Sequence, residues 1–147
     1  MADTLPVIDM TPALNGGLDG LNGFGAAIGR AAREVGFFYL TGHGIPSDLT
    51  RAVFDRSAAF FERPLAEKNA LSITRSPHNR GYVAMKGESL DPSKPADLKE
   101  AFNIGLDLAP DDPRIASGEA FRAVNLWPDL DGFRATMLAY FDAVWAA

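Results

Sequence analysis

The sequence predicts an α+β fold, in which two or three helices are joined by a few short strands. Two observations carry this prediction. Long stretches repeat apolar residues at three-and-four spacing, the spacing of an amphipathic helix. Short apolar runs bounded by glycine and proline lie between them and are typical of strands. With 47% apolar and 22% charged residues, the 147-residue chain is expected to form one folded domain over 1–147.

The first predicted elements are a short strand and a long helix. Residues 6–10 contain β-branched side chains and end at Thr11-Pro12, which favours a brief strand and is compatible with a sheet edge. A helix is predicted over 18–35 with a stop at Gly36, from the apolar positions Leu21, Phe24, Ile28, Ala31, Ala32 and Val35.

A second strand and a second helix are predicted next. The aromatic run 37–40 is too short for a helix, which favours a buried strand. Ser47 is the expected N-cap of a helix that has Asp48 in its first turn. This helix is expected to run to Arg63, where Pro64 interrupts it.

The second half of the chain is richer in turn residues. Residues 74–95 predict a loop with a short strand at 81–83, and 98–106 predicts another strand. An extended connection is expected over 107–129. A last amphipathic helix presents Phe133, Met137, Tyr140, Phe141, Val144 and Trp145. Because no stop signal follows it, we expect a chain that has been cut, whose uncovered apolar helix face packs on a missing domain or a partner; a docked helix that frays is the alternative.

Composition excludes several classes of function. A net charge of -5 disfavours nucleic acid as a partner. The absence of cysteine excludes disulfides, thiolate metal sites and thiol nucleophiles. The start of the chain does not resemble a secretory signal, and no apolar stretch approaches the roughly 18 residues that cross a bilayer. We therefore expect a cytoplasmic protein with no membrane role.

Six ordered blocks resemble the N-terminal region of the isopenicillin N synthase-like oxygenases. Ordered blocks at matching spacing are far more specific than a single motif, and they span nearly the whole chain. The blocks are Leu5-Pro6-Val7-Ile8-Asp9, the stretch 34–45 (EVGFFYLTGHGI), Phe60-Phe61 with Pro64 and Glu67-Lys68, Arg80-Gly81-Tyr82, the stretch 97–102 (DLKEAF), and Asn125-Leu126-Trp127-Pro128.

This resemblance implies a non-haem Fe(II)/2-oxoglutarate-dependent oxygenase that oxidises a small organic molecule with dioxygen. The helices and strands would flank a double-stranded β-helix (jelly roll) core that is largely absent from this chain. Family members hold Fe(II) through a His-x-Asp pair and a distant His, and 2-oxoglutarate through an Arg-x-Ser pair. This sequence has none of these. The chain alone is therefore expected to bind neither cofactor, to be inactive, and to be marginally stable or to self-associate. The alternative is a non-catalytic binding or assembly module, or a vestigial product of a split gene.

The resemblance also implies candidate site residues. Arg80 and Tyr82, with Asn79 beside them, match a region near the mouth of the substrate cleft, where an arginine fork can pair with a substrate carboxylate. A surface ion pair of Arg80 and a packing role of Tyr82 are the alternatives. His43 is expected to be structural, with its ring hydrogen-bonded to backbone, and His78 to be solvated, so no metal site is predicted.

Three further features have structural interpretations. Lys99 and Glu100 are expected to serve a buried ion pair, on a strand that places them on opposite faces. Trp127-Pro128 is expected to anchor the last helix. The glycines of 23–29 follow the pattern Gly-x-Gly-x-x-x-Gly, which does not match the dinucleotide fingerprint and favours close helix packing.

Overall fold

The computed structural model describes residues 4–76, 78–89 and 93–146. The fold is α+β, as predicted, but the described residues contain six α-helices instead of two or three, because three short helices of four or five residues were not predicted. The described residues form two compact units, 4–46 with 143–146, and Ser47–Asp142. In chain order the elements are β1 (Val7–Asp9), α1 (Thr11–Asn15), α2 (Gly17–Glu34), β2 (Tyr39–Thr41), α3 (Ser47–Phe61), α4 (Leu65–Asn69), a 3-10 turn (Ile73–Arg75), β3 (Gly81–Val83), β4 (Ala101–Asn103), α5 (Pro113–Ala116) and α6 (Phe133–Ala146).

The first unit contains a two-stranded parallel sheet and the helices α1 and α2. β1 pairs with β2 so that Ile8 lies opposite Leu40. The predicted strand at 6–10 and the predicted helix at 18–35 are both confirmed, each with ends within one residue of the expected ones. Ala31 is the buried residue of α2, and Ile8 is the buried residue of β1.

The predicted burial of the second strand is wrong. Residues 39–41 do form β2, but all three are exposed, and Phe37 just before them is 72% exposed. The aromatic composition of residues 37–40 correctly predicted that a strand forms here. Burial depends on what lies on its two faces, and in the part of the chain that the structure describes this sheet has two strands only.

The second unit begins with α3 and α4. α3 starts at the expected Ser47, has Asp48 in its first turn and ends at Phe61, two residues before the predicted end. Pro64 takes an extended conformation (φ -50°, ψ 140°) and separates the two helices, as predicted. A proline ring clashes with the preceding helical turn, which explains the break.

The core of the second unit is aromatic and is centred on Phe60. The Phe60 ring lies 4.8 Å from that of Phe102 on β4, 5.6 Å from that of Phe133 on α6 and 6.1 Å from that of Tyr82 on β3, measured between centroids. Tilted and edge-on aromatic pairs at these distances add to the stability gained by burial alone. Four elements are therefore joined through one side chain.

β3 and β4 form an antiparallel pair in which Tyr82 lies opposite Phe102. The strand predicted at 98–106 is much shorter, since only Ala101–Asn103 belong to it, and Leu98 is 79% exposed. The pairing beyond the strands is irregular, because Lys86 has a positive φ of 64° and donates its N–H to the carbonyl of Asp97. A strand period could not continue through that stretch.

The last helix, α6, forms as predicted, but its apolar face is not uncovered throughout. Phe133 and Met137 are buried in the aromatic core of the second unit. The expectation of a wholly exposed face is therefore wrong for these two residues. Further along, Val144 is 47% exposed.

Candidate functional site

The three candidate residues of the Arg-Gly-Tyr stretch occupy very different environments. Asn79 is exposed and has a left-handed backbone with φ 57°. Arg80 is only 7% exposed and Tyr82 only 1%. The proposed alternative for Arg80, a surface ion pair, is thus wrong, because this guanidinium is buried.

Arg80 uses its buried guanidinium to hold main-chain carbonyls. Nη1 donates to the carbonyl of His78 at 2.9 Å, and Nη2 donates to the carbonyl of Phe121 at 2.7 Å. Nε is buried without a partner among the described residues. Burial, and then the nearby charge of Arg122, lower the pKa of Arg80. Arginine stays protonated in proteins, so this side chain remains charged, and it has no carboxylate within ion-pair distance in the described part of the chain.

Gly105 lies against the Arg80 guanidinium, where a Cβ would collide with it. Asn125, itself 3% exposed, fixes Gly105 from another side. Its Oδ1 accepts the Gly105 N–H at 2.9 Å, and its Nδ2 donates to the Gly105 carbonyl at 2.9 Å. Asn125 therefore acts like a neighbouring strand, since its amide reproduces both bonds of a backbone pair.

Asp107 extends this network toward the last helix. It accepts hydrogen bonds from Asn125 Nδ2 at 3.1 Å, Trp127 Nε1 at 3.4 Å and Arg134 Nη2 at 2.8 Å. Burial acts to raise the pKa of Asp107, but the bonds from Arg134 and Asn125 outweigh it and the pKa is lowered. The indole of Trp127 packs edge-on against Phe133 at 6.4 Å, in agreement with its predicted anchoring role, but Trp127-Pro128 does not start the last helix, because α6 begins at Phe133.

A second polar cluster joins Tyr82, Glu100 and Lys68. Oε2 of Glu100 accepts from the Tyr82 hydroxyl at 2.6 Å and from Lys68 Nζ at 2.7 Å. Lys68 also donates to the carbonyl of Phe61 at 2.9 Å. The bond from Lys68, and then that from Tyr82, lower the pKa of Glu100, whereas burial and then the Glu100 bond raise the pKa of Tyr82 to about 12.

The buried ion pair predicted at Lys99 and Glu100 is correct for Glu100 and wrong for Lys99. The side chain of Lys99 is 54% exposed and pairs with Glu88 at 2.7 Å. The true partner of Glu100 is Lys68, which lies 32 residues earlier in the chain. That separation gave no local spacing by which sequence reasoning could have linked the two.

Phe121 is a candidate that sequence reasoning missed. The Arg122 N–H donates to the Glu119 carbonyl at 3.2 Å, which closes a β-turn whose third residue is Phe121 with φ 59°. Such a turn position ordinarily belongs to glycine or asparagine, and a bulky residue there costs about 1 kcal/mol. The side chain is 63% exposed, so burial does not offset this cost.

The two histidines do not form a metal site. Nδ1 of His43 accepts the Ile45 N–H at 3.1 Å, which confirms the structural role predicted for this ring. His78 is half-buried and therefore not fully solvated. Within the described ranges, no group of three or more His, Cys, Asp or Glu side chains could hold a metal ion. The residues present do not fit an iron site.

The glycine-rich start of α2 lines a shallow groove of about 350 Å³ in the first unit. Its lining includes Asp9 and Asp19 and contains neither lysine nor arginine. Carboxylates at this place repel phosphate, which disfavours nucleotide binding. The close packing predicted for the glycines of 23–29 is wrong at Gly23 and Gly25, because a Cβ at either position would meet no described atom within 4 Å.

The α+β arrangement and the ordered sequence blocks define a class of protein. Residues 5–130 match the family described as non-haem dioxygenase in morphine synthesis N-terminal. The chain belongs to this family.

Two individual relatives have the names of oxidative enzymes. The chain is 35% identical over 139 residues to clavatol oxidase claD of Penicillium crustosum, covering 84% of this chain and 39% of that protein. It is 34% identical, over 157 aligned positions, to the 2-oxoglutarate-Fe(II) type oxidoreductase hxnY of Emericella nidulans. This match covers 99% of this chain and 43% of that protein. A full-length Neurospora crassa protein, crystallised in complex with alpha-KG, superposes with a TM-score of 0.73 at 33% identity, covering 97% and 43%.

The chain thus spans about two fifths of the length of these relatives. The relatives' names include 2-oxoglutarate and Fe(II), so the cofactors implied by the resemblance are those of the family. None of the described helices is both long and apolar enough to span a membrane. The predicted cytoplasmic location stays a prediction.

Proposed function

We propose that this chain is the N-terminal part of a non-haem Fe(II)/2-oxoglutarate-dependent oxygenase that oxidises a small organic molecule with dioxygen. The co-linear match to enzymes more than twice as long, over 97–99% of this chain, supports the proposal most directly. In this proposal, the iron-binding jelly-roll domain lies outside this chain. The residues that the structure describes do not fit a metal site.

The exposed parallel sheet of the first unit also supports this proposal. Parallel sheets occur almost only where both faces are covered, and a two-stranded sheet alone is barely stable in water. β1 and β2 are parallel and mostly exposed, with Tyr39 62% exposed. Strands alternate the direction of their hydrogen-bonding groups, so Leu40, which lies between the residues bonded to β1, directs its N–H and carbonyl toward the free edge. Further strands of the parent protein would complete this sheet.

In this proposal the second unit shapes part of the substrate cleft around Asn79, Arg80 and Tyr82. Asn79 is the exposed member and would contact substrate directly. Arg80 and Tyr82 would act from beneath, because both are buried and their polar groups already bind His78, Phe121 and Glu100. The small-molecule substrate itself is not specified by the relatives, whose names refer to different compounds.

The test is the intact mass of the protein isolated from its native cells, followed by an activity assay on the isolated species. We expect a mass well above 15.8 kDa and oxygen consumption that requires both Fe(II) and 2-oxoglutarate. A native species of 15.8 kDa would contradict the proposal and favour a binding module or a vestigial product. A longer species that consumes oxygen without 2-oxoglutarate would contradict the choice of 2-oxoglutarate as cosubstrate.

A further inference from the structure

Phe121 occupies a conformation that folding stability does not explain. It is the third residue of the Glu119–Arg122 turn, with a left-handed φ of 59°, where glycine or asparagine is usual. Its side chain is 63% exposed and gains little from burial. Strained, exposed positions that persist are over-represented at functional sites, because the surrounding structure must hold them in place.

Arg80 supplies the group that holds this turn. Its Nη2 donates to the Phe121 carbonyl at 2.7 Å, and its Nη1 donates to the carbonyl of His78, the residue before Asn79. One planar guanidinium therefore anchors two of the three described segments that carry an exposed non-glycine residue with a left-handed backbone, those of Asn79 and Phe121. Gly105 leaves the space that this guanidinium occupies. The two bonds diverge in the plane of the fork, which a lysine ammonium cannot reproduce.

We propose that Arg80 is a positioning residue that presents Phe121, together with Asn79, to a planar, uncharged part of the substrate. This inference rests on the proposed function, since it assumes a substrate cleft at this surface. The exposed Phe121 ring, carried on a backbone that Arg80 holds, offers its face for stacking, and the exposed Asn79 amide offers a donor and an acceptor. Arg80 itself is not a carboxylate receptor, because its donors are directed to main-chain carbonyls.

The first test measures whether the Phe121 ring receives planar molecules. Saturation-transfer NMR on the 147-residue chain uses indole as the planar probe and cyclohexanol as a non-planar probe. Phe121→Asn removes the ring and keeps a residue that tolerates positive φ, so the turn should persist. We expect the indole signal to fall by the share that Phe121 contributes, leaving the part from other exposed rings such as Phe37, which is 72% exposed, and the cyclohexanol signal to stay unchanged. Phe121→Tyr should restore the indole signal.

The second test asks whether Arg80 acts through position. Arg80→Lys should lose at least one carbonyl bond, and Gly105→Ala should displace an intact guanidinium. Both should lower the indole signal about as far as Phe121→Asn does, although neither touches the ring. Leu98→Asn is the matched control, because Leu98 is an exposed apolar residue of the same unit that makes no contact with Arg80 in the bonds described above. It should leave the signal unchanged.

Three outcomes overturn the inference. One is an indole signal that is unchanged in Phe121→Asn or falls equally in Leu98→Asn. Another is a full indole signal in both Arg80→Lys and Gly105→Ala, and a loss of signal counts for the inference only in a variant that urea unfolding shows to be folded. The third is loss of the indole signal in the longer native protein, since the rest of the polypeptide would then cover Phe121. The proposed function fails separately, on a native mass of 15.8 kDa.

Discussion

Replacing Glu100 by glutamine tests the polar cluster that joins α4 to β3 and β4. The change keeps the shape of the side chain and leaves an oxygen for the Tyr82 hydroxyl, but it removes the negative charge that faces Lys68 at 2.7 Å. The Lys68 side chain is only 10% exposed, so its ammonium cannot turn to water without disturbing the packing around it.

The expected loss of stability is about 2 kcal/mol. Removing one partner of a fully buried ion pair costs roughly 3–5 kcal/mol, and a hydrogen bond to a charged group is worth about 1.5–3 kcal/mol. The lower range applies, because the Glu100 side chain is 24% exposed and Lys68 keeps its bond to the Phe61 carbonyl. In urea, where the slope is about 1–3 kcal/mol per molar, the midpoint should fall by about 1 M.

The control is Lys99→Gln, which breaks the exposed pair with Glu88. Surface pairs contribute little, so its midpoint should move by no more than about 0.3 M, equivalent to about 0.5 kcal/mol. The double variant Lys68→Met with Glu100→Gln should cost less than the sum of the two single variants, because no unpaired buried charge remains. The reasoning is refuted if Glu100→Gln shifts the midpoint no more than Lys99→Gln does, at an unchanged slope.

Two further predictions concern Tyr82 and Asn125, two buried residues of the second unit. The pKa of Tyr82 is raised to about 12, from 10.0, by burial and then by the Glu100 bond. A raised pKa stabilises the fold below pH 10 and loses that effect between about 10 and 12, so absorbance titration against a Tyr82→Phe variant should show Tyr82 ionising only as the chain unfolds. Its ionisation near pH 10 in the folded chain would contradict this. Asn125→Ala removes both bonds to Gly105 and one to Asp107, and should lower the unfolding free energy by about 3 kcal/mol in urea. A loss below about 1 kcal/mol would show that water replaces these bonds.

Local sequence signals were sufficient for the three long helices, but they missed the short helices α1, α4 and α5, the last of which lies in the connection expected to be extended over 107–129. The apolar spacing of α2 and α6 is long and regular, and Pro64 marks a break that the backbone cannot avoid. β3 was predicted from a few residues between turn signals. In each case the information lies within one element, so no knowledge of the tertiary structure was needed.

Burial and strand length were predicted less well, because both depend on distant segments. β2 has the composition of a buried strand, yet exposure is set by neighbours that its own residues do not specify. β4 is limited to Ala101–Asn103, the three residues that pair with β3. Under the proposal that this chain is the N-terminal part of a longer oxygenase, further strands would cover β2.

The candidate site shows the same limit at the level of single side chains. The resemblance located Arg80, but neither its burial nor its partner at Phe121 was predictable, because 41 residues separate them. The turn at Phe121 could not be predicted from the sequence, for a different reason. Glu119-Ala120-Phe121-Arg122 contains no glycine, proline or asparagine, and turns are recognised in a sequence by those residues. A turn that lacks these residues depends on tertiary contacts. Here the buried Arg80 donates a hydrogen bond to the Phe121 carbonyl. The conformation of Phe121 therefore depends on Arg80.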